Sequence, residues 1–154
     1  MKLRIVAALA LTAASSLAAQ AAPAIADLST ATPLAGNWSY ATATDGSEAT
    51  FSNTSGNPQV WMHCTRATRR VTIAKPATVA APFINVWTSS LTRSVPASFN
   101  PATGRLTIDL VATDPLLDAI ATSRGRAGFT VGDQPALVVP TWAEAARVIE
   151  DCRG

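Results

Sequence analysis

A cysteine beside a histidine is the raw material of a thiol nucleophile, and Trp61-Met62-His63-Cys64 sets the two side by side. Read as a strand, Gln59 to Thr65 alternates, with Val60, Met62 and Cys64 facing one way and Trp61, His63 and Thr65 the other. Neighbouring strand residues project from opposite faces, so a Cys–His dyad would need a bulge between them. His63 is the only histidine, so a Ser-His-Asp triad would have to use it, and no Gly-x-Ser-x-Gly elbow presents a serine. Zinc requires three or four nitrogen, sulfur or carboxylate ligands at suitable spacing, and none cluster. Gly125-Arg126-Ala127-Gly128 fits neither a phosphate loop nor a dinucleotide fingerprint. A carboxylate pair drawn from Asp109, Asp114, Asp118 and Glu144 stays open, although Asp114 and Glu144 hold helix-capping positions that account for them. No residue is assigned a catalytic role, no metal or cofactor is expected, and the chain reads as a non-enzyme.

Recognition is the better-supplied chemistry. Arg124 and Arg126 flank Gly125 at a helix exit, and a guanidinium pair can clamp a carboxylate or phosphate in a bidentate way. The plainer alternative has Arg124 offsetting the helix dipole and Arg126 starting a strand. Arg66, Arg69, Arg70 and Lys75 lie on one hairpin that could dock an anionic envelope component, or could simply be solvated. Trp61 with His63, and Trp87 with Asn85, could form an aromatic platform outside a sheet for sugar or peptide; in a covered sheet the same residues would be core.

Where such a chain works is written at its start. Lys2 and Arg4 precede an uncharged Ala, Leu and Val stretch from Ile5 to about Leu17, and Ala19-Gln20-Ala21 is an A-x-A cleavage site. Residues 1–21 therefore read as a cleavable signal peptide, cut after Ala21 or Ala22. The apolar run is shorter than the roughly 20 residues a spanning helix needs, and no later segment is apolar enough to replace it. Loss of Lys2 and Arg4 lowers the basic count from 12 to 10, level with the 10 acidic residues. A neutral mature chain gives no support for nucleic-acid binding. Periplasm or secretion is the expected address, and an oxidising compartment makes Cys64 and Cys152 a disulfide.

The elements that would position these residues are mostly short strands. Residues 22–35 look like a flexible N-terminal lead, and 36–154 a single β-rich domain closed by a C-terminal helix. Asn37 to Thr42 and Glu48 to Ser52 flank Thr44-Asp45-Gly46-Ser47, a turn with Asp-Gly at its tip. Asn53 to Pro58 is an exposed loop. Strands follow at Gln59 to Thr65, Arg70 to Ala74, Phe83 to Thr88, Leu91 to Val95 and Arg105 to Val111, then Ala127 to Val131 and Ala136 to Val139. Asp114-Pro115 opens a short helix over about 115–124, with Gly125 as its stop. Thr141-Trp142-Ala143-Glu144 reads as a capping box for the last helix, with Trp142, Ala145, Ile149 and Cys152 on its apolar face. The expected fold is mainly β, a β-sandwich or curved antiparallel sheet, with a short helix and a C-terminal amphipathic helix that the disulfide pins to the sheet.

The C-terminal third, Asp114-Pro115-Leu116-Leu117-Asp118 through Ser123-Arg124-Gly125-Arg126 to Trp142-Ala143-Glu144-Ala145-Ala146-Arg147-Val148-Ile149-Glu150-Asp151-Cys152-Arg153, resembles a group of small exported, uncharacterised proteins of alphaproteobacteria. The layout of signal peptide, strands, short helix, two strands and closing amphipathic helix also weakly resembles the invasion-associated locus B family. The second resemblance implies a periplasmic or surface β-sandwich without known catalysis, and neither brings site residues. The expectation that follows is a non-enzymatic binding or accessory protein of the cell envelope, whose partner is an envelope protein or anionic ligand. Two alternatives accompany it. One is an inhibitor of a cell-wall hydrolase, inserting Asn53 to Pro58 into a cleft; the other is a hydrolase using a carboxylate pair.

Overall fold

Alternation of apolar and polar residues carries ten segments of this chain into strands, and the pairing of those strands decides which residues meet. The computed structural model describes residues 27–154. The expected signal peptide (1–21), its cleavage site and residues 22–26 of the expected lead lie outside the described residues. In chain order the elements are β1 (Gly36–Ala43), β2 (Gly46–Asn53), β3 (Pro58–Thr65), β4 (Arg70–Pro76), β5 (Phe83–Trp87) and β6 (Thr92–Pro96). Then come β7 (Ser98–Asn100), β8 (Arg105–Val111), α1 (Pro115–Ala121), β9 (Ala127–Thr130), β10 (Leu137–Val139) and α2 (Ala143–Asp151). A 3-10 turn, Arg66–Thr68, joins β3 to β4 and ends on Arg69 in the left-handed region, φ +50°.

Two antiparallel sheets result, one in the order β1-β2-β3-β4-β8-β7 and the other β10-β9-β5-β6. Their inner faces share one core. Phe51, Met62, Ile73, Leu106 and Ile108 from the large sheet meet Ile84, Val86, Phe129 and Val139 from the small one. Both helices contribute to the same interior, through Leu116, Leu117 and Ile120 of α1 and Ala145, Val148 and Ile149 of α2. The mainly β architecture with two short helices is the one expected from the sequence.

The disulfide forms as expected, with Cys64 and Cys152 fully buried and their Cα atoms 5.4 Å apart. It joins the inner face of β3 to the residue that closes α2. Asp114 caps α1, accepting from the Leu116 amide at 2.8 Å, and Pro115 fills the first helical position.

Three local expectations are corrected. The hairpin tip is Thr44-Asp45, not Asp-Gly, because Ala43 already pairs with Gly46. Gly46 is needed for a different reason: a Cβ there would lie 1.9 Å from the Cys64 carbonyl oxygen. The capping box does not form. Thr141 Oγ1 donates instead to the Ser123 carbonyl at 2.8 Å, and Trp142 is the residue at the helix start, extended and without a side-chain cap. Trp142 consequently leaves the apolar face and stands 43% exposed, while Val148 takes a buried place.

The segment expected to be a loose lead is docked where it is described. Leu28 is buried against Trp87 and Val138, and it lies directly over Gly128, whose missing side chain makes room for it. The Leu34 amide donates to the Val138 carbonyl at 2.7 Å, alongside the β10 edge. Trp38 then fixes the entry to β1 by donating its indole N–H to the Pro140 carbonyl at 2.8 Å.

Candidate functional site

The outer face of the large sheet carries the polar side chains that strand alternation turns away from the core. In β3 these are Trp61 and His63, and register places them opposite Ala74 and Thr72 of β4. Register also sets Thr107 opposite Ala74 and Arg105 opposite Pro76. Arg105 reaches diagonally across β4, and its guanidinium carbon lies 3.7 Å from the centre of a Trp61 ring. That stack combines attraction to the ring's π face with a planar contact. Among the described residues no carboxylate pairs with Arg105, so its donors stay available at a fixed place.

A trough of about 320 Å³ opens there, lined by Trp61, Arg105, Thr72, Thr107, Asn100 and His63, with Glu48 at one end. Its walls offer hydroxyl, amide and guanidinium groups beside one half-buried aromatic ring. His63 is held between two carboxylates, with Nε2 3.1 Å from Asp45 Oδ2 and Nδ1 3.8 Å from Glu48 Oε2. The hydrogen bond from His63 holds the Asp45 carboxyl below the usual carboxylate range. Because the two acids sit at opposite ring nitrogens, they cannot join His63 around one metal ion. No group of three potential metal ligands occurs among the described residues.

The structure separates the other candidates. Arg124 is exposed and its backbone N–H is bonded to Ser89 Oγ at 3.0 Å, with Gly125 in the left-handed region at φ +76°. Arg126 does not join it in a clamp; its guanidinium donates to the Ala31 carbonyl and ties the N-terminal segment down. Trp87 is buried beneath Leu28 and forms no platform with Asn85, which accepts from Ser94 Oγ at 2.5 Å. The basic hairpin is also dispersed. Arg70 pairs with Asp109, and Lys75 is half-buried, its pKa lowered by desolvation, with Nζ on the Pro76 carbonyl at 3.1 Å.

The carboxylates considered as a pair are each taken by a different partner or groove, Asp109 on β8, Asp114 and Asp118 at the cap and first turn of α1, and Glu144 on α2. Asp109 is held by Arg70, Asp114 by Arg93 at 2.9 Å, and Asp118 by Arg153 at 2.7 Å. Glu144 lines a separate groove against Arg147 and Tyr40. None of the described pockets contains more than one carboxylate.

A larger groove of about 610 Å³ lies on the outer face of the small sheet, walled by Val79, Pro82, Phe83 and Val131. Size alone would favour it. Of its polar groups, Ser94 Oγ donates to Asn85 Oδ1, Gln134 adds a second amide, and Asp133 supplies its one charge. The smaller trough holds Arg105, a cationic donor without a carboxylate partner among the described residues, beside Thr107, while the Thr72 hydroxyl already donates to Asp109 Oδ1 at 3.4 Å. Arg105 is the residue that sequence reasoning missed. Its only cue was the alternation of Arg105, Thr107 and Asp109 on one strand face, and nothing local says that a neighbouring strand will set it over Trp61.

No helix among the described residues is long and apolar enough to cross a membrane. The chain matches no protein-family model, no curated protein and no solved structure.

Proposed function

We propose that this chain is a non-enzymatic binding or accessory protein of the cell envelope, exported to the periplasm or beyond, which recognises an anionic group on the outer face of its large sheet. The observation that carries the reading is Arg105, held flat on Trp61 without a carboxylate partner among the described residues, beside the hydroxyls of Thr72 and Thr107. A preorganised guanidinium in a polar trough selects a carboxylate or phosphate and loses little side-chain freedom on binding. Export is supported by the N-terminal pattern and by a buried disulfide.

Calorimetric titration with trigalacturonate and with its methyl ester tests the recognition. The acid is expected to bind and the ester not to, and Arg105→Gln should weaken the acid about tenfold or more, as loss of a charge-assisted hydrogen bond does. Equal affinity for acid and ester would refute the reading. Export is tested by the N-terminal sequence of the secreted protein, expected to begin at Ala22 or Pro23.

A second reading, inhibition of a cell-wall hydrolase, draws on one observation. The exposed Asn53 to Pro58 loop is braced from within, Asn53 Oδ1 accepting from the amides of Ser55 at 3.1 Å and Asn57 at 2.9 Å. A braced loop enters a cleft at low entropic cost. Lysozyme-type turbidity assays should then show inhibition that Asn53→Ala relieves; no inhibition removes this reading.

A further inference from the structure

The trough beside Arg105 is bipolar. Glu48 is the one carboxylate on its walls and Arg105 the one guanidinium, and they are not within ion-pair distance of each other. Strand register sets their spacing. Glu48, His63 and Thr72 form one row across β2, β3 and β4, and Asp109, next in that row, is already held by Arg70. Trp61, Ala74 and Thr107 form the neighbouring row two residues along, and the Arg105 guanidinium lies over Trp61. One strand across is about 4.8 Å and two residues along about 6.8 Å, so the two charge-bearing places lie about 8 Å apart on the sheet.

The acidic end has acceptors without a donor. An ionised Asp45 can only accept, so His63 Nε2 carries the proton of their 3.1 Å bond, and in the neutral ring Nδ1 is left as a lone pair. Glu48 Oε2 lies 3.8 Å from that nitrogen, beyond hydrogen-bond distance. The other oxygen, Oε1, accepts from the Thr50 hydroxyl at 3.2 Å. Two acceptors therefore face each other with no proton between them. A primary ammonium at hydrogen-bond distance from both would satisfy the pair and place its charge beside Asp45 and Glu48. A ligand carrying only a carboxylate meets attraction at Arg105 and repulsion at this end, whereas one carrying both charges meets attraction at each.

The walls between the two ends are polar. Asn100 Oδ1 accepts from the Ala102 amide at 2.9 Å, which leaves its NH2 group to donate. The Thr72 hydroxyl donates to Asp109 and can still accept, and Thr107 adds a second hydroxyl. Peptide groups match these walls better than a methylene chain, which would strip them of water without replacing it. Each residue of a peptide spans at most about 3.6 Å, so a single amino acid falls short of about 8 Å and two or three residues reach it.

We propose that the trough takes a free zwitterionic peptide of two or three residues, its C-terminal carboxylate on Arg105 and its N-terminal ammonium between Glu48 Oε2 and His63 Nδ1, an assignment that rests on Arg105 being the anion's seat. Glu48 then sets the choice between zwitterion and plain anion, and the spacing of the two rows sets the length.

The test is a nitrogen-15 chemical-shift titration at pH 7 with glycine, diglycine, triglycine, N-acetyl-triglycine and triglycine amide. The tighter of diglycine and triglycine should bind about tenfold or more tightly than glycine and than either capped peptide. Its binding should move the His63 Nδ1 resonance, which N-acetyl-triglycine should leave in place. Glu48→Gln should erase the advantage of the free amine, and Arg105→Gln should weaken every ligand that carries a carboxylate. N-acetyl-triglycine binding as tightly as triglycine, with both dependent on Arg105, would overturn the zwitterion assignment while leaving the anion site standing. Glycine matching the two peptides would do the same. Absence of shifts at Trp61 and Arg105 with every carboxylate ligand at millimolar concentration, or shifts indifferent to Arg105→Gln, would overturn both.

Discussion

Breaking the Cys64–Cys152 bond removes a restraint that acts on the unfolded chain as much as on the folded one. The two cysteines are 88 residues apart, and cross-linking a loop of that length removes about 4.5 kcal/mol of unfolded-state entropy in the chain-entropy treatment. For a domain of about 130 residues, the unfolding entropy is about 0.27 kcal/mol per degree, so the melting temperature should fall by about 17 °C. The folded state should lose less. Arg153 separately anchors the end of α2 through the Ala112 carbonyl at 2.9 Å and the Asp118 carboxylate at 2.7 Å. The double variant Cys64→Ala/Cys152→Ala should therefore keep its far-ultraviolet spectrum while melting early. Because the bond is fully buried, wild-type protein must be unfolded and refolded in reductant for a fair comparison, and it should then match the variant. A fall of less than 3 °C in both would refute the reasoning. A loss of α2 structure in the folded variant would instead show that the bond holds the helix and not merely the unfolded chain.

Other perturbations separate close packing from capping and charge. Gly46→Ala drives a methyl into the Cys64 carbonyl and should destabilise by about 3 kcal/mol, whereas Gly128→Ala meets only the flexible end of Leu28 and should cost less; chemical denaturation compares them. Asp114 is raised by burial but lowered further by the Arg93 hydrogen bond, the Leu116 amide and the Arg93 charge, and it ends below its ordinary value. Its contribution is therefore present above the unfolded pKa of about 3.9 and lost as pH falls through the lower folded value. Asp114→Ala should cost about 1–2 kcal/mol at pH 7 and much less at pH 2, measured by thermal melts at both. Leu28→Ala should cost about 2 kcal/mol and Arg126→Ala should speed hydrogen exchange at Leu34, if the described N-terminal segment is part of the packed domain.

Strand alternation made the large sheet legible before any coordinates, because a period of two fixes which residues share a face. Val60, Met62 and Cys64 go inward and Trp61 and His63 outward, and that division puts Cys64 on the buried face where Cys152 meets it. Asp114-Pro115 was legible for a local reason: the cap and the proline act within one turn. What escaped was decided by distant partners. Thr141 has the sequence of a cap, but the Ser123 carbonyl competes for its hydroxyl. Trp142 obeys helical spacing only if the helix has already begun, and it is still extended there. β7 is three residues long and exists because Phe99 pairs with Leu106. The site was half legible. Trp61 and His63 were visible as outward residues, while Arg105 belongs to the site only through the β3–β4–β8 register.

The central claim is that an anionic ligand docks on Arg105 above Trp61. The most direct measurement is a nitrogen-15 chemical-shift map of the protein titrated with trigalacturonate. Saturable shifts should concentrate at the Trp61 indole N–H, the Arg105 Nε–H and the amides of Thr72 and Thr107, and should vanish in Arg105→Gln. Shifts centred instead on Arg124, or on the Phe83–Val131 groove, with Arg105 unmoved, would contradict the account.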